Sequence, residues 1–207
     1  MKNIKAIIFD AYGTLFDVNS AAEKCKGKIG DKWENFANYW RTTQLEYTWL
    51  RSLMKRHKNF WQVTEDSLDK SMKAYKIDSS MRSELLDLYK ILSTFEEVPR
   101  VLKSLKKKDY KLGILSNGTP SLLDELVNSN NLKNIFDDIF SIEEVGIYKP
   151  DSQVYDMPIN KYEIQKNEVV FLSANSIWVN RNNNIFDNLD YIPEKEVKNL
   201  NQLLDIT

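Results

Sequence analysis

The sequence is short of the residues on which several common kinds of site depend. Its 207 residues include one cysteine, Cys25, and one histidine, His57. One cysteine cannot form an internal disulfide, and one histidine cannot supply a multi-histidine zinc site. Cys25, His57 and Asp17 do not have the spacing of metal ligands, and neither a GxxxxGKS/T loop nor a GxGxxG loop is present. The sequence therefore gives no indication of a metal or a nucleotide cofactor.

The chain also lacks an excess of either charge and any long apolar run. Lysine plus arginine total 29 and aspartate plus glutamate total 30, which gives no electrostatic reason to bind nucleic acid or an anionic membrane. No apolar run approaches the length of a membrane span, and the apolar stretch after Lys2 and Lys5 is too short for a signal peptide. These features predict a cytoplasmic globular protein with neither a nucleic-acid nor a membrane partner.

What the chain does contain is a set of short apolar runs separated by helical patterns. Such runs are typical of strands that are buried on both faces of a parallel sheet. They cover residues 6–9, 112–115, 169–172 and 177–179, with a weaker run at 138–141. Their alternation with helices predicts an α/β fold, with a three-layer Rossmann-like core around a parallel sheet.

The stretch between the first two of these runs is several times longer than the dozen or so residues that a parallel crossover needs. Its pattern is helical, and Thr64 is a plausible N-cap of one helix. One helical face carries a row of apolar residues: Trp33, Phe36, Ala37, Trp40, Leu45, Trp49, Leu53 and Met54. We predict that residues 16–94 form an inserted helical cap subdomain and that residues 1–15 and 95–207 form the core domain.

Polar residues follow the predicted strands at the points where they end. Asp10 follows the first strand, Ser116 and Asn117 close the second, and Lys149 follows the third. Ser173 and Asn175 come at the end of the fourth. Each alone has an ordinary reading as a turn former or a surface lysine, but carboxyl ends of parallel strands share one edge, where ligands bind in open α/β sheets. Together they predict a site at this edge.

These residues stand in ordered motifs that resemble those of the haloacid dehalogenase superfamily. The motifs are residues 9–14, 115–118, 148–151 and 171–175. Tyr12 stands where most phosphatases of that superfamily have a second aspartate, and residues 40–51 resemble the corresponding cap segment of the L-2-haloacid dehalogenases. The resemblance runs from about Ile4 to Ser176 and resumes at residues 178–181.

The resemblance implies hydrolysis of small 2-haloalkanoic acids without a metal or cofactor. Asp10 would displace the halide and form an ester, which water would then hydrolyse. Thr14 and Lys149 would keep Asp10 ionised and oriented, and Arg41 would meet the departing halide. The alternative for Arg41 is a surface ion pair with Glu46.

The remaining site residues are also expectations from the resemblance. Ser116 and the amide of Asn117 would bind the substrate carboxylate, and Ser173 and Asn175 would support Lys149 and position water. The residues that would line or close an apolar pocket are Tyr12, Trp40, Leu45, Phe60 and Tyr155, although Tyr155 is also compatible with ordinary helix packing. Because cap helices of relatives often form a dimer face, a homodimer stays open.

The chain departs from the family pattern in its last third. After Ser176 about a helix's worth of sequence is absent, including an acidic residue that is thought to activate the hydrolytic water in the family. Because the few residues before Ile177 cannot make an ordinary parallel crossover, residues 177–179 are not expected to form a fifth parallel strand. Pro158 is expected to shorten or kink a helix that runs to about Lys161.

Two alternatives to an active dehalogenase follow from these departures. A member that is catalytically dead, or that stops at the Asp10 ester, would serve as a binding or structural protein. A magnesium-dependent phosphatase of the same superfamily is the third hypothesis, and Tyr12 makes it the weakest.

Overall fold

A computed structural model describes residues 3–173, 177–186 and 192–205, without the side chain of Ser173. In these residues six strands form one sheet in the order β3-β2-β1-β4-β5-β6, and every neighbouring pair is parallel. The strands are β1 (Ala6–Phe9), β2 (Lys111–Ser116), β3 (Asp138–Ser141), β4 (Val169–Ser173), β5 (Ile177–Val179) and β6 (Lys195–Val197). All four residues of β1 are buried, as expected for a central strand covered on both faces.

Helices lie on both sides of the sheet, which confirms the predicted three-layer α/β fold. The helices are α1 (Ser20–Lys24), α2 (Lys26–Ile29), α3 (Trp33–Leu53), α4 (Phe60–Tyr75), α5 (Arg82–Lys90), α6 (Val98–Lys106), α7 (Pro120–Ser129) and α8 (Ser152–Tyr162). The chain steps from β1 to β2 to β3 in one direction and then returns past β1 to β4. Right-handed crossovers therefore place α6 and α7 on one face and α8 on the other. None of the helices described here is long and apolar enough to cross a membrane.

Six helices, α1 to α6, lie between β1 and β2, and the first five of them fall within residues 16–94, where the insertion was predicted. The chain leaves and re-enters the sheet region through two paired segments. Phe16 forms an antiparallel bridge with Thr94, Asp17 N donates to Ser93 O at 2.8 Å, and Phe95 N donates to Leu15 O at 3.2 Å. The two connections thus hold each other at the predicted boundary.

One detail predicted for these helices was wrong. Asn59, and not Thr64, caps α4, because the Asn59 side chain accepts from Gln62 N at 2.9 Å. Thr64 is buried one turn later, and its hydroxyl donates to Phe60 O at 2.8 Å. The predicted apolar face of α3 is buried only in its first half. Its later members are exposed by 48% at Trp49, 80% at Leu53 and 56% at Met54.

The prediction that residues 177–179 cannot be a parallel strand was also wrong. Ile177 pairs with Leu172 and Trp178 with Ser173, so β5 overlaps only the last two residues of β4. Two parallel strands that overlap along their whole length need a long crossover, because the chain must return to the level where the first strand began. Here β5 overlaps only the end of β4, so the chain has to return by only a short distance. The short connection therefore permits β5 in a displaced register.

Pro158 does not shorten its helix. The α8 helix runs from Ser152 to Tyr162, with Pro158 buried inside it. The side chain of Asp151 accepts from Gln153 N at 3.0 Å at the start, and Glu163 adopts a left-handed conformation at the end. These two caps and the packing of α8 on the sheet offset the one backbone hydrogen bond that a proline removes.

Candidate active site

Asp10 lies directly after β1 and forms an ion pair with Lys149. The Lys149 Nζ atom is 2.6 Å from Asp10 Oδ1 and also donates to Leu115 O at 3.0 Å. Their side chains are only 13% exposed for Lys149 and 19% for Asp10. Asp10 N donates to Leu172 O at 2.9 Å, which ties Asp10 to β4. The edge therefore carries a carboxylate with its counter-charge, largely shielded from solvent.

A tight loop after Asp10 holds the next residues in place. Leu15 N and Phe16 N both donate to Ala11 O, each at 2.9 Å, and Gly13 supplies the positive φ of 90° that this turn needs. Thr14 is buried, and its carbonyl oxygen accepts from Arg181 Nη2 at 2.7 Å. A hydrogen bond from the Thr14 hydroxyl to Asp10 stays a prediction.

The end of β2 provides polar groups beside this loop. Ser116 is fully buried, and its hydroxyl oxygen accepts from Gly118 N at 3.1 Å. Asn117 Oδ1 accepts from Lys149 N at 3.2 Å, so Asn117 holds the segment that carries Lys149. Ser141 at the end of β3 donates to Gly118 O at 2.7 Å. Nothing in the sequence assigns a role to Ser141, because a serine at the end of a strand is common and has no specific meaning.

The Tyr12 ring lies against the backbone of Gly118. A Cβ atom at position 118 would come within 2.9 Å of Tyr12 Oη, and within 3.0 Å of Leu123 Cδ2. The Tyr12 hydroxyl is buried and has no hydrogen-bond partner within the described residues. Burial raises the pKa of Tyr12 well above its ordinary value, and the nearby charges of Asp10 and Tyr89 act in the same direction against Arg41. Tyr12 is therefore a neutral, largely apolar wall beside the carboxylate.

Arg41 reaches this loop from α3. Its Nη2 atom donates to Tyr12 O at 3.1 Å and its Nη1 atom donates to Gln44 Oε1 at 2.8 Å. Glu46, the alternative partner, is exposed on the helix, while Arg41 is directed towards the nucleophile loop. The structure thus brings a guanidinium group from α3 to the backbone of Tyr12, two residues after Asp10.

Aromatic rings form the rest of this contact between the helices and the sheet. The Tyr12 and Phe60 ring centroids are 5.1 Å apart, and Tyr12 stacks on Tyr89 at 5.7 Å. Phe60 also lies 6.5 Å from Tyr148, and Trp40 lies 5.2 Å from Tyr89. Such a wall excludes water and weakens the hydration of a carboxylate next to it.

Four predicted residues are not placed at Asp10 by these contacts. Leu45 is half-buried on α3, and Tyr155 lies edge-on to Phe171 of β4 at 5.3 Å. Ser173 ends β4, but its side chain lies outside the described residues, as does the whole of Asn175. Their roles stay predictions.

A second contact between the sheet and the helices was missed in the sequence. Glu143 follows β3, and its Oε1 atom accepts from Phe60 N at 3.1 Å while Oε2 lies 3.0 Å from His57 Nε2. The His57 ring lies 5.1 Å from that of Tyr148, the residue before Lys149. No motif in the sequence connects positions 57 and 143, so only the fold could reveal this contact.

Arg181 forms a third contact that sequence reasoning missed. Its Nη1 atom is 2.7 Å from Glu97 Oε1, and its guanidinium lies 3.7 Å from the centroid of the Phe95 ring. Burial raises the pKa of Glu97, but the hydrogen bond from Arg181, the hydrogen bonds from backbone N–H groups and the charge of Arg181 together outweigh it, so the net pKa is lowered. The segment after β5 is thereby fastened to the nucleophile loop.

The described residues include no group of three or more His, Cys, Asp or Glu side chains that could hold a metal ion. Among the described residues, the charged groups at this edge include the Asp10 carboxylate, the Lys149 ammonium and the Arg41 guanidinium. This set can present a partly desolvated anionic nucleophile and bind anionic groups of a ligand.

Comparison with known proteins places this geometry in context. Residues 4–175 match the family model described as haloacid dehalogenase-like hydrolase. The (S)-2-haloacid dehalogenase of Pseudomonas sp. (strain YL) is 38% identical, with 100% of this chain and 95% of that protein covered. That alignment spans 221 positions, so the relative holds residues that this chain lacks.

Solved structures agree with the sequence comparison. The crystal structure of a dehalogenase matches with a TM-score of 0.96 and 30% identity, over 100% of this chain and 98% of that one. The L-2-haloacid dehalogenase from Xanthobacter autotrophicus with chloropropionic acid covalently bound matches with a TM-score of 0.88 and 27% identity, over 98% of both chains.

Proposed function

Because the chain belongs to the haloacid dehalogenase-like hydrolase family, we propose that it hydrolyses the carbon–halogen bond of small L-2-haloalkanoic acids to give 2-hydroxy acids. The observation that carries the proposal is the shielded Asp10–Lys149 pair, 2.6 Å between Oδ1 and Nζ, with the Arg41 guanidinium bound to the carbonyl of Tyr12, two residues after Asp10. The phosphatase alternative is weaker because Tyr12, whose ring lies 5.1 Å from that of Phe60, stands where a phosphatase of the superfamily would be expected to have a second aspartate.

The reaction has two steps. One Asp10 carboxylate oxygen attacks C2 of the substrate from the side opposite the halogen, a carbon–oxygen bond forms, and the halide leaves with the bonding electrons. Water then attacks the carbonyl carbon of the resulting ester. The 2-hydroxy acid leaves, Asp10 is regenerated, and one proton is released. Neither step needs a metal, because Lys149 already supplies the positive charge beside Asp10.

In this proposal each of the predicted site residues has a role. Arg41 donates to the departing halide, and Thr14 and Lys149 orient Asp10. Ser116 and the backbone amide of Asn117 bind the substrate carboxylate. The apolar wall is formed by Tyr12, Leu45 and Phe60, with Tyr155 near the opening. Ser173 and Asn175 support Lys149 and position the hydrolytic water.

The division of the chain and its assembly belong to the same proposal. Residues 16–94 form the cap and residues 1–15 and 95–207 the core, with the Phe16–Thr94 bridge at the boundary. A homodimer would cover the exposed apolar side chains at the end of α3, which are Trp49, Leu50, Leu53 and Met54. The protein would act in the cytoplasm on a small haloacid and water.

A second candidate is a protein that forms the Asp10 ester and hydrolyses it slowly or not at all. It is favoured by one observation, the direct passage from β4 to β5 through residues 174–176 alone. The family resemblance implies an acidic residue and a helix in the segment that is absent here. In this case the first step proceeds and the second is impaired.

Intact-protein mass spectrometry with L-2-chloropropionate, run beside a chloride assay, tests both candidates. Many chloride ions per protein molecule support the full reaction. One chloride per protein with a matching mass increase supports the trapped ester. Release that also occurs with Asp10→Asn, or no release from either the L or the D acid, would refute the proposal.

A further inference from the structure

A buried amide in the cap connects Arg41 to the wall of the pocket. Gln44 lies on α3 and is only 1% exposed. Its Oε1 atom accepts from Arg41 Nη1 at 2.8 Å, and its Nε2 atom donates to Thr64 Oγ1 at 2.7 Å. The Tyr89 hydroxyl lies within 3.2 Å of Oε1 and within 3.0 Å of Nε2. Both the oxygen and the nitrogen of the Gln44 amide are therefore used in hydrogen bonds.

The hydrogen bonds themselves decide which way this amide faces. The Thr64 hydroxyl has one hydrogen and donates it to Phe60 O at 2.8 Å. Only lone pairs of Thr64 Oγ1 are then available to Gln44, so the Gln44 nitrogen must face Thr64. The Gln44 oxygen consequently faces Arg41. The orientation is set by the backbone of Phe60, a residue of the pocket wall.

The amide in turn fixes the guanidinium group. Arg41 is held at Nη1 by Gln44 Oε1 and at Nη2 by Tyr12 O, 3.1 Å away. Two anchors on a planar group leave it little freedom to rotate. The guanidinium carries five N–H donors. The Tyr89 hydroxyl is a further hydrogen-bonding partner of Arg41, and the donors that these contacts leave over are available to a ligand.

We infer that Gln44 is the positioning residue for Arg41, and that it sets how strongly the first step depends on the leaving halide. The inference rests on the proposed function. Donors aimed at a developing anion accelerate a reaction only when they are held in place beforehand. Chloride is a poorer leaving group than bromide and needs this donation more. Arg41 without Gln44 would be charged but loosely oriented.

An apolar side chain could fill the same space without the free-energy cost of burying an amide. A role in packing alone therefore does not require glutamine, whereas orientation of a cation does. Gln44→Met keeps nearly the same volume and removes every hydrogen bond of the amide. Thr48→Val is the matched control, because Thr48 is also buried on α3 and its hydroxyl only donates to Leu45 O at 2.6 Å.

The experiment measures halide release in the first turnover from L-2-chloropropionate and L-2-bromopropionate. We expect Gln44→Met to slow chloride release about 30-fold and bromide release about fivefold, so that the bromide-to-chloride ratio rises. Thr48→Val should leave that ratio unchanged. Thr64→Val, which removes the group that orients the amide, should raise the ratio by a smaller factor and serves if Gln44→Met does not fold.

An unchanged ratio in both Gln44→Met and Thr64→Val, with rates equally lowered for the two halides, would show a merely structural role and overturn the inference. If the unmodified protein releases neither halide, the proposed function fails instead. Calorimetric titration with sodium bromide then tests the positioning of Arg41 by Gln44, which is the part of the inference that does not depend on turnover. About tenfold weaker bromide binding by Gln44→Met would support it, and equal binding would refute it.

Discussion

Two regions of the sheet edge differ in how completely they are built. Around β1 and β2, ion pairs and hydrogen bonds link buried polar groups that come from distant parts of the chain. Examples are the contacts of Asp10 with Lys149 and of Arg41 with Tyr12 O. On the other side of β1, β5 and β6 have three residues each, and β5 overlaps β4 by two. Ile185 and Ile192 near this side are 93% and 83% exposed.

The two proposed steps therefore depend on side chains from different regions of the sheet edge. The groups for halide displacement lie in the densely connected region, and those proposed for ester hydrolysis lie at the end of β4, where the chain is shortened. The regions are not independent, since Arg181 reaches from beyond β5 to Thr14 O at 2.7 Å. Substitutions around β1 and β2 should therefore change mainly the rate of the first step, and substitutions near β5 should change mainly the stability of the fold.

The largest effect is expected at Lys149. Lys149→Met removes the positive charge 2.6 Å from Asp10 Oδ1 and should slow first-turnover halide release by about 10³-fold. The measurement is rapid-quench chloride release at one substrate equivalent. Lys161→Met, an exposed lysine of α8, should match the unmodified protein. A rate for Lys149→Met within about threefold of the control would contradict the assigned role.

A smaller effect is expected where Tyr12 packs on the end of β2. Gly118→Ala places a methyl group 2.9 Å from Tyr12 Oη, so Tyr12 must move away from the carboxylate. We expect a loss of about 1–3 kcal/mol in unfolding free energy and about tenfold slower halide release. Urea denaturation and the rate assay measure the two effects.

Gly27→Ala is the control for Gly118→Ala, because an added Cβ there meets no atom within 4 Å and lies in α2. It should be neutral or slightly stabilising. A Gly118→Ala protein as stable and as fast as Gly27→Ala would show that Tyr12 is not held by this contact.

The shortened side should respond in stability more than in rate. Glu97→Gln weakens the pair with Arg181 and should lower the unfolding free energy by about 1–2 kcal/mol at neutral pH. Halide release should change by less than about threefold, since Asp10 and Lys149 are untouched. A larger loss of rate than of stability would contradict the separation of the two regions.

The pH dependence of Glu97→Gln gives the sign of this effect. Because the folded pKa of Glu97 is lowered from 4.5, its stabilisation is complete above that pH and is lost as pH falls through the folded pKa. The difference between Glu97→Gln and the unmodified protein should therefore shrink below about pH 4.5. Urea midpoints at several pH values measure it, and a difference that grows on acidification would refute the pairing.

The smallest effect is expected at the contact between Glu143 and His57. A double-mutant cycle with Glu143→Gln and His57→Phe should give a coupling of about 0.5–1 kcal/mol, because both side chains are partly exposed. The effect of Glu143→Gln on halide release should be modest. Of the residues proposed to line the pocket, the substitution affects Phe60, whose backbone N loses a charged acceptor. Additive free energies in the cycle would show that the contact seen at 3.0 Å contributes nothing.

The sequence predicted the features that depend on local pattern. Buried apolar runs specified β1 to β4, and the long helical stretch specified the insertion, because burial on both faces and helical periodicity leave direct traces in the residue order. Asp10, Arg41 and Lys149 were found because they stand in ordered motifs. The register of β5 was missed, since the length of a connection does not say how far two strands overlap.

Long-range polar contacts left no such trace. Glu143 and His57 are separated by 86 positions, and nothing near either residue indicates the other. Gln44 belongs to a helix whose pattern suggests only packing, and its role depends on Thr64 and Arg41 meeting it in space. Thr64 itself was misassigned as a cap because threonine favours both helix starts and buried back-bonding positions.

The most direct test of the central role of Asp10 is a reaction in water enriched in heavy oxygen, with protein in excess over L-2-chloropropionate. The protein is then digested and the peptide that contains Asp10 is weighed. We predict that Asp10 gains heavy oxygen, or keeps the ester to C2 of propionate, while the first 2-hydroxy acid released carries oxygen from the protein. An unlabelled Asp10 peptide with heavy oxygen in the first product would mean that water attacks the substrate directly and would contradict the account.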